Sequence, residues 1–525
     1  MKKTKQQIIF QTILIIGIVV FINIISVRVF TRLDLTSSKA YSLSEASKDL
    51  VRSLDDKFLV KAYFTADLPA PYNNHRRFLQ DQLDDYKAYS KGNFQYEFID
   101  PSKNQELEQE AQRYNIPPVQ VQVIKDDKLQ IEKAYMGLVF LYGDKQENIQ
   151  VVKNLDKLEY EISSKIKKLT SNKQIKIGIA SGHGEPDFEK LKQFRELLAE
   201  QYNVVSVNIK NGNPIPDDIS ALLIIAPREK FSDADKYVID QYLMKGGKIA
   251  FFINQIDATL QSQMGQTLNI NLDDLYETYG FKIRADMVRD ARCANVTISQ
   301  QAGFMTIQSQ IPYPYLPIAS EYNPKNIVVK NLGPVIFHFV SSIDTSLANA
   351  KGLHLEVLLT SSNKSGRMEG FFIINPTLPF TQDMFKESYI PLAISVEGNF
   401  KSHYADREPQ IDSTSNISIA DKLTNSSKTK IVVVGDGDFI QDSYIGTRDN
   451  LVFATNLIDW LVDDIGLTTI RSKDIAVKPL EEVSDGTRTF VKSINLVLPP
   501  LIMIVTGIIR WRLKVSRRKR IEMSI

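Results

Sequence analysis

The chain has 525 residues, too many for one hydrophobic core, so two to four domains are expected. Its single cysteine, Cys293, excludes an internal disulfide and any cysteine-cluster metal site. The net charge of +2 hides an uneven pattern, with +3 from Lys2, Lys3 and Lys5, +6 over 510–525 and −7 over 8–509; an acidic body excludes a nucleic-acid footprint.

Residues 1–7 read as a cytoplasmic tail, and 8–30 as a transmembrane helix. The run from Ile8 to Phe30 supplies the roughly 20 apolar residues that a bilayer core needs. It is longer than a signal peptide's apolar region and ends SVRVFTRLD, with no A-x-A cleavage pattern, which predicts an uncleaved anchor. Residues 31–54 turn into a membrane-proximal helix, with Ser42 or Ser44 as the cap and Leu50 and Val51 facing inward.

Residues 55–150 form a first soluble unit in the order βαβαβ, closing on a hairpin about Gly143-Asp144. A proline pair, Pro117-Pro118, precedes the third strand, and the order resembles a thioredoxin-like unit. With no C-x-x-C in the chain, redox chemistry is excluded and only the architecture is expected. Residues 151–172 read as a connecting helix.

From 173 to 465 apolar strands alternate with helices, the pattern of a parallel α/β sheet. Strand Ile175 to Ala180 is followed by a helix from Phe188 to Gln201, a strand from Val204 to Ile209 and the strand ALLIIAP at 221–227. The next helix has Ser232 at its N-cap, Asp235 three positions on, and Gly246-Gly247 as its stop. Strand 248–253 follows. A β-rich insertion is expected at about 260–400, and 401–429 reads as a polar, mobile loop. The stretch 311–319, IPYPYLPIA, suits either a recognition surface or a rigid segment packing its own tyrosines. Strand TKIVVVGDGDFI and the amphipathic helix at 450–464 then complete the sheet. Residues 466–493 return to the membrane, 494–513 form a second transmembrane helix kinked by Pro499-Pro500, and 514–525 are a basic cytoplasmic tail. The cluster RWRLKVSRRKR puts both termini in the cytoplasm and the body outside the inner membrane, in the periplasm.

Two turns carry candidate chemistry. Ser181-Gly182-His183-Gly184-Glu185 sits at the carboxyl end of a strand, where open α/β sheets bind ligands. His183 and Glu185 are candidate ligand or catalytic groups; a tight turn needing two glycines is the structural alternative. Asp436 and Asp438 in GDGD could hold a divalent cation, although an Asp-capped turn before a short helix is the commoner arrangement. The five histidines are scattered without H-E-x-x-H, and no G-x-x-x-x-G-K-[ST] is present, so neither a zinc site nor a P-loop ATPase is expected. There is no G-x-S-x-G, no catalytic residue is assigned, and no cofactor is expected.

Four stretches carry a family resemblance: FINIISVRVFTRLDLTSSKAYSLSEASKDL, KIGIASGHGE, KFSDADKYVIDQYLMKGGKIAFFI, and GLTTIRSKDI with INLVLPP. Together they resemble the GldG family, gliding-motility-associated auxiliary components of ABC transporters. The central part is similar to auxiliary, substrate-binding-like domains with an amidotransferase-like sheet. The resemblance implies an extracytoplasmic subunit working with an ABC permease and a cytoplasmic ATPase, linked to gliding and the associated secretion machinery. It implies no catalytic residue. The alternatives are a membrane-tethered hydrolase or amidase using His183, Glu185 or the 436–438 aspartates, and a scaffold that transmits force.

Overall fold

The computed structural model describes residues 10–18, 42–462, 470 and 485–522, with short internal gaps. The chain divides into two units, 1–476 and 477–525. Of the expected first span, residues 12–18 are helical with Ile13 to Ile16 exposed; its remainder lies outside the described residues.

In the first unit, helix α1 (Glu45–Arg52) starts at Ser44, whose side chain accepts from the Ser47 N–H. Strand β1 (Phe58–Phe64), helix α2 (His75–Tyr89), strand β2 (Phe94–Ile99) and helix α3 (Gln105–Arg113) follow. Strands β3 (Val119–Lys125) and β4 (Lys128–Ala134) form a separate hairpin. Only its first strand is legible in the sequence, because charges interrupt the apolar alternation of KLQIEKA. Strands β5 (Met136–Tyr142) and β6 (Lys145–Ile149) then join the sheet, in the order β2-β1-β5-β6. β1 and β2 run parallel; the other pairs are antiparallel. Helix α4 (Leu158–Thr170) brings Leu158, Ile162 and Ile166 onto the same core as Phe58, Phe94 and Phe140. Its Glu159 anchors α1 by accepting from Ser44 N–H and Ser47 Oγ, both at 2.7 Å.

The larger sheet is built from β7 (Lys176–Ser181), β8 (Asn203–Asn208), β9 (Ile219–Ile225) and β10 (Lys248–Phe252), with α5 (Lys192–Ala199) and α6 (Asp233–Met244) between them. Helix α7 (Asp273–Thr278), then β11 (Asp286–Asp290), β12 (Cys293–Ala302) and β13 (Met305–Ala319) lead into the expected insertion. There follow β14 (Glu321–Tyr322), β15 (His354–Thr360), β16 (Ser365–Glu369), β17 (Pro391–Lys401), β18 (Asn425–Val434) and helix α8 (Arg448–Leu461). The sheet has eight strands in the order β14-β15-β17-β18-β10-β9-β7-β8. At its centre Ile249 lies opposite both Ile431 and Leu222 in parallel register. Alternate residues of β9 enter two cores: Leu223 and Ile225 meet the α5 and α8 face, Leu222 and Ile224 the α6 and α7 face. Burial on both faces explains the unbroken apolar runs of these strands.

Two features differ from the sequence reading, and a third decides between alternatives that it left open. The sheet is mixed, since β17, β15 and β14 extend the five parallel strands through successive antiparallel pairings. Apolar composition does not encode strand direction; the non-helical return from β17 to β18 does. The stretch 402–410, expected to be mobile, is fastened down. Ser402 Oγ donates to Asp240 at 2.7 Å, the His403 N–H to Asp240 at 2.8 Å and Tyr404 Oη to Asp233 at 2.8 Å. Aspartates of α6 provide acceptors that the polar segment itself does not reveal. Finally, Tyr313 and Tyr315 are buried and donate to the carbonyls of Ile374 and Ile373, so the aromatic stretch packs inward.

In the second unit, helix α9 (Asp485–Glu522) runs without a break through Pro499 and Pro500. Its segment Thr489–Val515, 27 residues, is long and apolar enough to cross a membrane.

Candidate functional site

The carboxyl ends of β7, β9, β10 and β18 meet along one edge of the parallel part of the sheet. After β7 the chain turns at Gly182, with φ at 117°, where a Cβ would lie 2.8 Å from that of Lys210. Only glycine accepts both demands. The turn places His183 inside, 1% exposed, stacked on Phe231 at 3.8 Å between ring centres.

His183 Nε2 lies 3.0 Å from Asp235 Oδ2. Asp235 also completes the capping box of α6, accepting from the Ser232 N–H and Oγ, and takes the Gly212 N–H at 2.8 Å. Glu185 folds back to accept the His183 N–H at 2.6 Å. Its other oxygen stands 3.8 Å from His183 Nδ1. Both of those atoms are buried without a hydrogen-bond partner. Burial works against charge on the imidazole, but the hydrogen bond with Asp235 and the neighbouring Glu185 carboxylate outweigh it and raise its pKa. Burial likewise disfavours the Asp235 carboxylate, yet the bonds from His183 and Ser232 hold it down at about 2. His183 therefore acts as a clamp between the β7 turn and the start of α6. Ser181 Oγ accepts from Ser206 Oγ at 3.1 Å. Gly184 is exposed at the turn's rim.

The second turn closes on the same edge. Asp436, fully buried, accepts the N–H groups of Asp438, Phe439 and His338 at 2.7, 3.2 and 2.7 Å. That is an Asp-capped turn. Gly437 sits so close to β10 that a Cβ would come 2.5 Å from the Phe252 carbonyl oxygen. Asp438 accepts from Asn254 Nδ2 at 2.7 Å and from Gln441. Burial raises both carboxyls, most strongly Asp436. Among the described residues no group of three or more His, Cys, Asp or Glu is placed to hold a metal ion.

Arg228, which the sequence reading missed, links the two turns. Its backbone N–H donates to the His183 carbonyl at 2.8 Å. Its guanidinium pairs with Asp257 and lies 3.6 Å from Asp438, and its side chain is 38% exposed. The available signal was its position three residues beyond a buried strand end, in APREKF. The edge therefore presents one partly open cation between two carboxylates, over a sealed His183–Asp235 pair.

A family described as an ABC-type uncharacterized transport system matches residues 174–461, over half the chain and all of this edge. The chain belongs to that family. It is thus an auxiliary component of an ABC transport system. A second family, described as a domain of unknown function, matches 37–141. An uncharacterized protein of Borreliella burgdorferi is 25% identical over 98% of this chain and 99% of its own length. Among solved structures, the mmIFT52 N-terminal domain aligns at 15% identity and a TM-score of 0.33, over 55% of this chain and 96% of that one. A likeness that weak adds nothing to the fold.

Proposed function

We propose that this auxiliary component is a non-catalytic subunit anchored by both ends, with its body outside the cytoplasmic membrane, coupled to an ABC permease and a separate ATPase. The family match over the central sheet carries the reading. An apolar C-terminal helix followed by Arg517, Arg518, Lys519 and Arg520 supports the orientation. The absence of a P-loop sequence supports ATP turnover by a separate subunit. The run R-x-D-L-T-x-x-K-x-Y-S-L-S supports the narrower assignment to gliding-motility-associated GldG proteins and their secretion link. The order β2-β1-β5-β6 supports a thioredoxin-like architecture, and the five parallel strands an amidotransferase-like one. In this reading the Ser181–Glu185 turn and Arg228 face a partner or substrate.

A tethered hydrolase or amidase is the competing reading, and the His183–Asp235 pair favours it. Against it, no described hydroxyl or thiol bonds His183 Nδ1, so the pair lacks a nucleophile to activate. Mild detergent extraction of the tagged full chain, with mass spectrometry and an ATPase assay of the eluate, tests the proposal. A permease and an ATPase with ATP turnover are expected. Recovery of the chain alone would overturn it.

A further inference from the structure

Helix α4 is the bridge between the two sheets. Leu158, Ile162 and Ile166 pack into the core of the first sheet, and the chain then enters β7 of the larger one. Another face of α4 meets the end of α5, where Gln201 donates to Ser164. Tyr202, next in the chain, is buried and donates to Asp459 of α8 at 2.7 Å, which fixes the end of α5 to the larger sheet. The joint itself is polar. Among the described residues, no apolar cluster holds strand residues of both sheets.

Glu161 lies three residues before Ser164, on the same face of α4. Its Oε2 is buried without a hydrogen-bond partner. Glu200, beside Gln201 in the chain, sets a second carboxylate against it. Lys165 of α4 acts in the opposite sense but less than Glu200, and it is bound at 3.0 Å to Glu147 of β6. Burial first, and Glu200 second, push the Glu161 carboxyl up to about 7. Two carboxylates drawn out of water repel each other, whereas one proton held between them removes the repulsion and makes one oxygen a donor. The Gln201–Ser164 contact joins side chains only, so opening the joint strands no backbone group.

We propose that Glu161 and Glu200 form a proton-operated hinge between the two sheets, closed while they share a proton and loosened when that proton leaves. The sign follows from linkage. In the open joint a solvated glutamate titrates near 4.3, while the closed joint keeps its proton up to about 7. The closed-to-open ratio is greatest below about 4.3, falls about tenfold per pH unit up to about 7, and is level above that. The hinge is independent of the transport reading.

The test uses the full chain in nanodiscs, with Cys293→Ser as background. Spin labels are placed at Glu106→Cys in α3 and Lys245→Cys after α6, both exposed. Double electron–electron resonance at pH 5 is expected to give one interspin distance. A second distance should grow, relative to the first, about tenfold per pH unit towards pH 7 and then stay level. Glu161→Gln, neutral and of similar size, should hold the first distance from pH 5 to 8.5. Glu200→Gln should move the levelling point to lower pH by removing the neighbouring charge. One unchanged distance in the wild type, a response that Glu161→Gln retains, or one that Glu200→Gln leaves unmoved would each overturn the hinge. So would a response accompanied by loss of helical circular dichroism, which is unfolding and not opening.

Discussion

His183 and His338 lie near one edge of the sheet and hold their protons oppositely. His183 has Asp235 and Glu185 beside it, which raise its pKa. His338 donates its backbone N–H to Asp436, but its ring packs on Tyr444 and its Nδ1 is buried without a partner. Burial alone pushes its pKa down to about 4. His403 is also pushed down to about 4, by burial first, despite the nearby Asp274. The signs follow from linkage. Stability from His183 is full below about 6.5 and is lost as pH rises through its higher folded value. Neutral His338 and His403 destabilise as pH falls from about 6.5 towards 4, because only the unfolded chain takes up the proton; for His338 alone this amounts to about 3 kcal/mol. Histidine-selective NMR titration should find His183 charged and His338 neutral at pH 6.5. Thermal midpoints should show His183→Gln flattening the alkaline limb and His338→Phe the acid limb. Equal titration of the two rings near 6.5 would contradict this account.

Among the elements, α8 fixes the distant segment at 326–340 to the central sheet through polar side chains. Asn450 is fully buried; it accepts the Ile336 N–H at 3.0 Å and donates to the Ile336 and Phe439 carbonyls at 2.8 and 2.9 Å. Asn456 donates to the Val328 carbonyl at 2.9 Å. Asn450→Leu keeps the volume and strands those backbone groups, so it should cost about 2–4 kcal/mol, read as a lower thermal midpoint. A loss below about 0.5 kcal/mol would mean that water replaces the amide. Within the expected loop at 401–429, the described stretch 402–410 is fastened for a similar reason. The sequence of that segment is polar, but its partners, Asp233, Asp240 and Asp274, lie on other elements.

At the scale of the whole molecule, the apolar segment Thr489–Val515 and the basic residues behind it make a topological prediction. A fluorescent protein that folds only in the cytoplasm should be bright when fused after Ile525, and a phosphatase active only outside should be silent there. The reverse pattern would invert the proposed orientation and detach the body from the expected compartment.

The sequence by itself located most strands and helices, though not β4, and the apolar segment near the C-terminus that can enter a membrane. These properties depend on local apolar periodicity, caps and runs, as at Ser232, Asp235 and β9. It also located the edge at Ser181–Glu185, because a glycine turn after a buried strand is a local signal. It did not decide between the readings of that turn. The clamp exists only because α6 presents Asp235 to His183, 52 residues away in the chain. Asp436 caps its own turn through the local N–H groups of Asp438 and Phe439, and only the fold adds the distant His338 N–H to it. The mixed sheet, the fastened strap at 402–410 and the linking role of Arg228 all depend on which distant strands pair. Pairing is set by three-dimensional packing and by the return path of each connection, to which apolar periodicity is blind.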